Sequence, residues 1–192
     1  MWNPYNFSGT PLLADGQSAI FYPLNILYVI LPLVDAFSIM VIIVPIFSFL
    51  FMYILLQHFR LTQLASVFGA FTFAFSGFMS VWMEENPAVS QTALWLPLLV
   101  YLLDTWILSK SIWRIILFSL FLSIMLFSGF LQLAIYELVL LIIFGLWRIN
   151  QKYSLNVKKV TLFYFSLSIL IGLLMCSVYL IPVWEAYQLS PR

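Results

Sequence analysis

Uncharged apolar runs alternate with short polar punctuation along this chain. Ala36 to Leu56 carries no charge and stops at Gln57-His58-Phe59-Arg60. Gln63 to Met83 repeats the pattern and stops at Glu84-Glu85-Asn86-Pro87. Ala88 to Leu108 follows, with Asp104 near its end and Lys110 and Arg114 beyond. Each run is about 20 residues, enough for an α-helix to cross ~30 Å of hydrocarbon. Arg114 and Arg148 enclose 33 residues. That is about 50 Å of helix, too long for one crossing. It suits two short helices meeting at Ser128-Gly129-Phe130. A polar stretch from Arg148 to Lys159 precedes the last span, Val160 to Ile181. The pattern predicts an all-α, multi-pass bundle of six spans over residues 36–182. Residues 1–35 form a loop before it and residues 183–192 a segment after it.

Ser18 to Val34 is apolar enough to suggest a seventh span, but Pro23 and Pro32 leave only eight residues between them. Proline removes a backbone donor and clashes with the preceding turn, so no uninterrupted helix is expected here. The segment reads as a juxtamembrane helix lying in the interface, with Phe21, Tyr22 and Tyr28 at headgroup level.

Composition sharpens the class. Of 192 residues, 64% are hydrophobic and 8% charged. A soluble domain carries roughly 25% charged residues, and no globular skin could hide this much apolar surface. The net charge of +1 shows no bias toward nucleic acid. The single cysteine, Cys176, forms no internal disulfide and reads as a small packing residue.

Charge also orients the bundle. With six spans, Arg60, Lys110, Arg114, Arg148, Lys152, Lys158 and Lys159 share one side, seven of the eight Lys and Arg. The positive-inside bias makes that side cytoplasmic. Asp15, Asp35, Glu84, Glu85 and Glu185 then lie outside, on a plasma membrane protein. The opening "MWNPYN" has no charged n-region and no apolar h-region, so it is not a signal peptide. A preceding transmembrane helix is therefore expected, and the chain reads as a portion of a larger membrane protein.

The stretch "WNPYNFSGTPLLADGQSAIFYPLN" resembles the first large outer loop of the bacterial YfhO-like membrane proteins, of the GT-C class of glycosyltransferases. "FGAFTFAFSGFMS", "WLPLL", "GFLQLAIYE" and "LIPVWEAYQLSPR" continue the resemblance in order, over essentially the whole chain. It implies a multi-pass enzyme that moves a sugar from a polyprenyl-phosphate carrier, within membrane lipid, to a cell-envelope polymer such as lipoteichoic acid. It implies no cofactor. The usual base of the class is an acidic residue on the first outer loop, at a position that would precede Met1. The sequence departs from the family at Phe130 and near Glu84-Glu85-Asn86, where members often carry His.

Three carboxylates are candidate catalytic groups. Asp15 sits in "LLADGQS", an Asp-Gly turn signal that also lies on the outer loop. Glu84 and Glu85 end the second span, either as a solvated loop or beside the converging outer loops. Trp2, Asn3, Tyr5 and Asn6 combine flat apolar faces with amides suited to a sugar, and Gln17 follows them; Trp and Tyr also suit the headgroup region for their own sake. Glu137 lies about 10 Å below Gly129 in an otherwise apolar span, with Gln132 and Tyr136 close in sequence. A carboxylate there costs about 2.5 kcal/mol or more near a helix centre, so a partner, a polar cavity or water at a receding hairpin tip is expected. Asp104 reads as snorkelling to the cytoplasmic interface, and His58 as a loop residue without chemistry. No metal-ligand spacing is present. A transporter or lipid-carrier flippase is the alternative reading, although no internal repeat is visible. A non-catalytic membrane fragment is a third.

Overall fold

The computed structural model describes residues 2–3, 10–11, 15 and 17–189. A two-residue antiparallel pair, β1 (Trp2–Asn3) and β2 (Thr10–Pro11), precedes the helices. A 3-10 turn over Pro23–Ile26 leads into α1 (Leu27–Ile30) and then α2 (Leu33–His58). The chain continues through α3 (Gln63–Ala74), α4 (Gly77–Glu85), α5 (Pro87–Ala93) and α6 (Leu96–Ser109). It ends with α7 (Ile112–Phe127), α8 (Leu131–Lys152), α9 (Leu155–Met175) and α10 (Ser177–Leu189). Taking α3–α4 and α5–α6 as pairs, five of these segments are long and apolar enough to cross a membrane. Helix α7, at 16 residues, is about 24 Å long and falls short of a full crossing.

Local chemistry explains where the helices start and stop. Pro32 precedes the first residue of α2, and Asp35 sits in its first turn, where a carboxylate complements the helix dipole. Thr62 caps α3, its hydroxyl accepting from the Ala65 N–H at 3.3 Å. The expected Gln63–Met83 span is interrupted at Phe75–Ser76. Ser76 accepts from the Met79 N–H at 3.3 Å and so starts a second helix. Asn86 and Pro87 then supply an N-cap and a first helical residue for α5.

Two expected boundaries move. Residues 112–152 form one short helix and one full-length helix, not two short ones, because α8 runs on through Arg148 to Lys152. Charge marked the end of the span in the sequence, but Arg148 is ion-paired within the bundle and needs no exit to water. The polar stretch 148–159 accordingly shrinks to a turn at Tyr153-Ser154. At its far end, α9 stops at Met175 and bends at Cys176, which is buried with a free thiol.

The central element is α5–α6, about two-thirds of whose apolar stretch is buried, whereas only a minor part of each other span-length segment is buried. It packs against α2, α7 and α8, with α3–α4 outside α2 and α9 outside α7. Between lipid-facing helices there is little hydrophobic driving force, so close backbone approach and polar bonds hold such bundles. Ser119 Oγ donates to the Ser168 carbonyl at 2.9 Å between α7 and α9. Gly172 keeps that approach open, since a Cβ there would lie 2.9 Å from Leu122 Cδ2 and 3.1 Å from the Ser119 carbonyl.

The bundle has two chemically distinct ends. Arg60, Lys110, Arg114, Arg148, Lys152, Lys158 and Lys159 cluster where α2, α6 and α8 finish, called here the basic end. Several of these cations serve the C-terminus of α6, whose last carbonyls carry partial negative charge. Lys152 donates to the Ile107 and Leu108 carbonyls at 3.1 and 3.0 Å, and Arg114 to that of Thr105 at 3.0 Å. Lys110 donates to Thr161 and lies 4.2 Å from the Tyr153 ring centroid. Burial, and secondarily the charge of Lys152, holds the Lys110 ammonium below its ordinary pKa. The opposite, Glu84 end gathers the α4–α5 turn, the Ser128–Phe130 hairpin tip and the loop before α1.

That loop does not lie wholly in the interface. Tyr22 was expected at headgroup level, yet it is 2% exposed within the core. Its hydroxyl accepts from Trp95 Nε1 at 3.2 Å and reaches the Gln91 carbonyl at 3.5 Å. Burial pushes the Tyr22 phenol well above its usual pKa. An aromatic ring with a polar tip fits the interface, but it fits a buried slot equally when a donor waits inside. Phe21 stays 40% exposed, with its ring 5.7 Å from that of Phe127.

Candidate functional site

Two sequence features open a groove between α2 and α3–α4 in the half of the bundle near Glu84. Pro45 sits inside α2 and deprives the Val41 carbonyl of its helical donor. Opposite it, the Phe75–Ser76 break offsets α4 from α3. Val41, Val44 and Pro45 face Phe75, Met79 and Met83 across a cleft of about 400 Å³. Ser80 and Glu84 also line it, and Glu84 is exposed one residue before α4 ends. The groove is therefore mainly apolar, with the Ser80 hydroxyl and the Glu84 carboxylate as its polar lining.

A smaller cleft of about 280 Å³ lies on the other side of α4. Trp82 and Phe130 stand 6.5 Å apart there, and Gln132 and Tyr136 line it as well. Gln132 Nε2 donates to the Tyr136 hydroxyl at 3.0 Å. These two candidate binding residues thus pair with each other, on the exposed face of α8. Glu137 points the other way. It is 5% exposed, and its Oε2 has no hydrogen-bond partner among the described residues. The water-exposed alternative for Glu137 does not fit this burial. Neither of the two clefts just described is lined by it.

The three candidate carboxylates are not assembled into one cluster. Asp15 Oδ1 accepts from the Gln17 N–H at 3.1 Å, and its carbonyl accepts from Ser18 N at 3.1 Å, so it makes the turn that its Asp-Gly pair signals. The loop after it packs on the hairpin tip, because a Cβ on Gly129 would lie 2.7 Å from Ala19 Cβ and 3.1 Å from the Gln17 carbonyl. Gln17 itself is exposed. Glu85 is exposed at the end of α4 beside Glu84. Among the described residues, no three His, Cys, Asp or Glu come close enough to hold a metal ion. Trp2 and Asn3 belong to β1, but their side chains, with Tyr5 and Asn6, lie outside the described residues.

The strongest polar constellation joins Asp104, expected at the interface, and His58, expected in a loop, with Arg148. Asp104 does not snorkel: it is fully buried in α6. Arg148 donates to it through Nε (2.5 Å to Oδ1) and Nη2 (3.3 Å to Oδ2), and His58 Nε2 lies 2.7 Å from Oδ2. Helices α2, α6 and α8 are thereby tied at the basic end by one carboxylate. His58 is the last residue of α2, not part of a loop. A sequence signal did exist, since a lone Asp in an apolar span calls for an intramembrane partner. The partners lie 46 and 44 residues away, where spacing along one helix gives no pointer. No family model matches the chain, and no curated protein or solved structure matches it either.

Proposed function

We propose that this chain is part of a GT-C-type membrane glycosyltransferase resembling the YfhO-like proteins, and that the groove between α2 and α3–α4 holds the hydrocarbon of a polyprenyl-phosphate sugar carrier. The observation that carries this reading is the groove itself, lined by apolar residues apart from Ser80 and the Glu84 carboxylate. An isoprenoid chain needs an apolar slot reachable from the bilayer. An acceptor hydroxyl of a cell-envelope polymer needs a carboxylate within reach as general base. In this reading the chain crosses a plasma membrane six times, with α7 as a short sixth crossing beside the five span-length segments, and the basic end is cytoplasmic by the positive-inside bias. Glu84 then faces outward, as a transferase without a nucleotide donor requires. A carrier phosphate is normally held by Arg or Lys. The Glu84 end has none among the described residues, so the groove residues act on the carrier's hydrocarbon alone.

The test is photo-cross-linking with a diazirine-bearing polyprenyl phosphate in membranes containing the chain. Adducts are expected on Met79, Met83 and Phe75, and Val41→Trp should suppress them by filling the slot. Equal labelling by a diazirine phospholipid, or adducts scattered over the lipid-facing surface, would overturn the reading. A flippase would use the same groove; it is distinguished by movement of the carrier across vesicles without sugar transfer.

A further inference from the structure

We infer that the cleft at the basic end, between the ends of α2, α6 and α8, is a binding site for a phosphoryl anion. It has a volume of about 460 Å³ and is lined by His58, Phe59, Arg60, Asp104, Leu108 and Arg148. That size falls within the ordinary range of small-molecule sites.

The charge balance selects an anion. Asp104 is the only acid in the lining, and it is fully buried and already bound by both Arg148 and His58. Arg148 engages Asp104 through Nε and Nη2, leaving Nη1 without a partner among the described residues. The Arg60 side chain forms no hydrogen bond or ion pair with any described residue and stands exposed. The cleft thus contains an uncommitted guanidinium and part of a second, beside an imidazole. Forked N–H donors of this kind match phosphate oxygens.

Arg60 also occupies a backbone position that arginine does not favour. Its φ is +63°, in the turn where Arg60 N bonds the Gln57 carbonyl and Leu61 N bonds that of Leu56. Glycine or asparagine is the usual residue at such a helix end. From that turn the Arg60 side chain lines the same cleft as Arg148. Strain of this kind tends to mark functional positions. Phe59 and Leu108 add exposed apolar surface at the mouth, 42% and 45% accessible, suited to the acyl part of an amphiphile. The shared chemistry is a phosphoryl group, supplied by a lipid headgroup or by free phosphate.

The experiment is titration of the purified chain in detergent with three probes: inorganic phosphate, dihexanoyl phosphatidylglycerol, and dihexanoylglycerol as a phosphate-free control. Saturable binding of phosphatidylglycerol is expected, weakened about tenfold in Arg60→Asn, a residue that suits the positive φ while removing the charge. Lys159→Gln, exposed at the same end but outside the cleft, should bind as the parent does. Binding of phosphate as well would make the phosphoryl group the whole ligand; phosphatidylglycerol alone would assign a lipid headgroup. The proposal is overturned if neither phosphorylated probe binds, or if dihexanoylglycerol binds equally well. It is also overturned if Arg60→Asn and Lys159→Gln lose affinity alike, since that would be general surface charge.

Discussion

Arg148 grips the buried carboxylate of Asp104 from a helix 44 residues further along the chain, with Nε 2.5 Å from Oδ1. Removing one partner of a buried pair costs about 3–5 kcal/mol, and here His58, 2.7 Å from Oδ2, stays beside the carboxylate and offsets part of that cost. Arg148→Met should therefore lower the melting temperature in detergent by many degrees. The double variant Asp104→Leu with Arg148→Met should recover most of the loss. A double variant as unstable as the single one would show that the pair does not act as a unit.

Tyr22 is tied to Trp95 by a single buried hydrogen bond. In Tyr22→Phe the ring packing survives, but the indole N–H loses its acceptor. Leaving a buried donor unmade costs about 1–3 kcal/mol. A lowered thermal midpoint is expected, measured by circular dichroism. An unchanged midpoint would mean that the Tyr22–Trp95 hydrogen bond contributes nothing to the stability of the bundle.

Gly129 turns the hairpin with φ +91° under the Gln17–Ala19 segment. Alanine there meets both a backbone it does not favour, costing about 1–2 kcal/mol, and the Ala19 methyl. Gly129→Ala should destabilise the fold and expose the loop, read as faster thiol labelling of a cysteine placed at position 19. Gly77→Ala, where a Cβ meets nothing within 4 Å, is the control and should be tolerated.

Glu137 is buried in α8 with Oε2 unpartnered among the described residues. An arrangement of that kind opposes stability, and replacing it with an apolar side chain of similar size relieves the cost. Glu137→Leu should fold at least as well as the parent and melt at a higher temperature. If the proposed transferase reading holds and Glu137→Gln impairs sugar transfer, the carboxylate serves function against stability. A marked fall in the melting temperature of Glu137→Leu would instead show that the carboxylate anchors packing.

Orientation is open to a direct check. Single cysteines at positions 84 and 185 should react with an impermeant thiol reagent applied to intact cells. Those at positions 60, 110 and 152 should react only after lysis. Labelling of position 152 from outside would overturn the six-crossing arrangement.

The existence and approximate placement of the long helices followed from the chain alone. Helices α2 and α9, the hairpin at Ser128–Phe130 and the sorting of basic residues to one end needed only the length of an uncharged run and the cost of charge in hydrocarbon. The Asp15 turn was legible too, because an Asp-Gly pair bonds its own neighbours. Tertiary structure decided where a polar residue goes once it has a partner. Asp104 looked like an interfacial residue and His58 like a loop residue because, without partners, water is their cheapest neighbour. Arg148 from α8 removes that need by supplying the counter-charge inside the bundle. Tyr22 likewise turns inward because Trp95 offers a donor. The groove at Glu84 depends on Pro45 and the Ser76 break facing each other across two helices. Periodicity measures one helix at a time, so a relation between helices is invisible to it until the chain has packed.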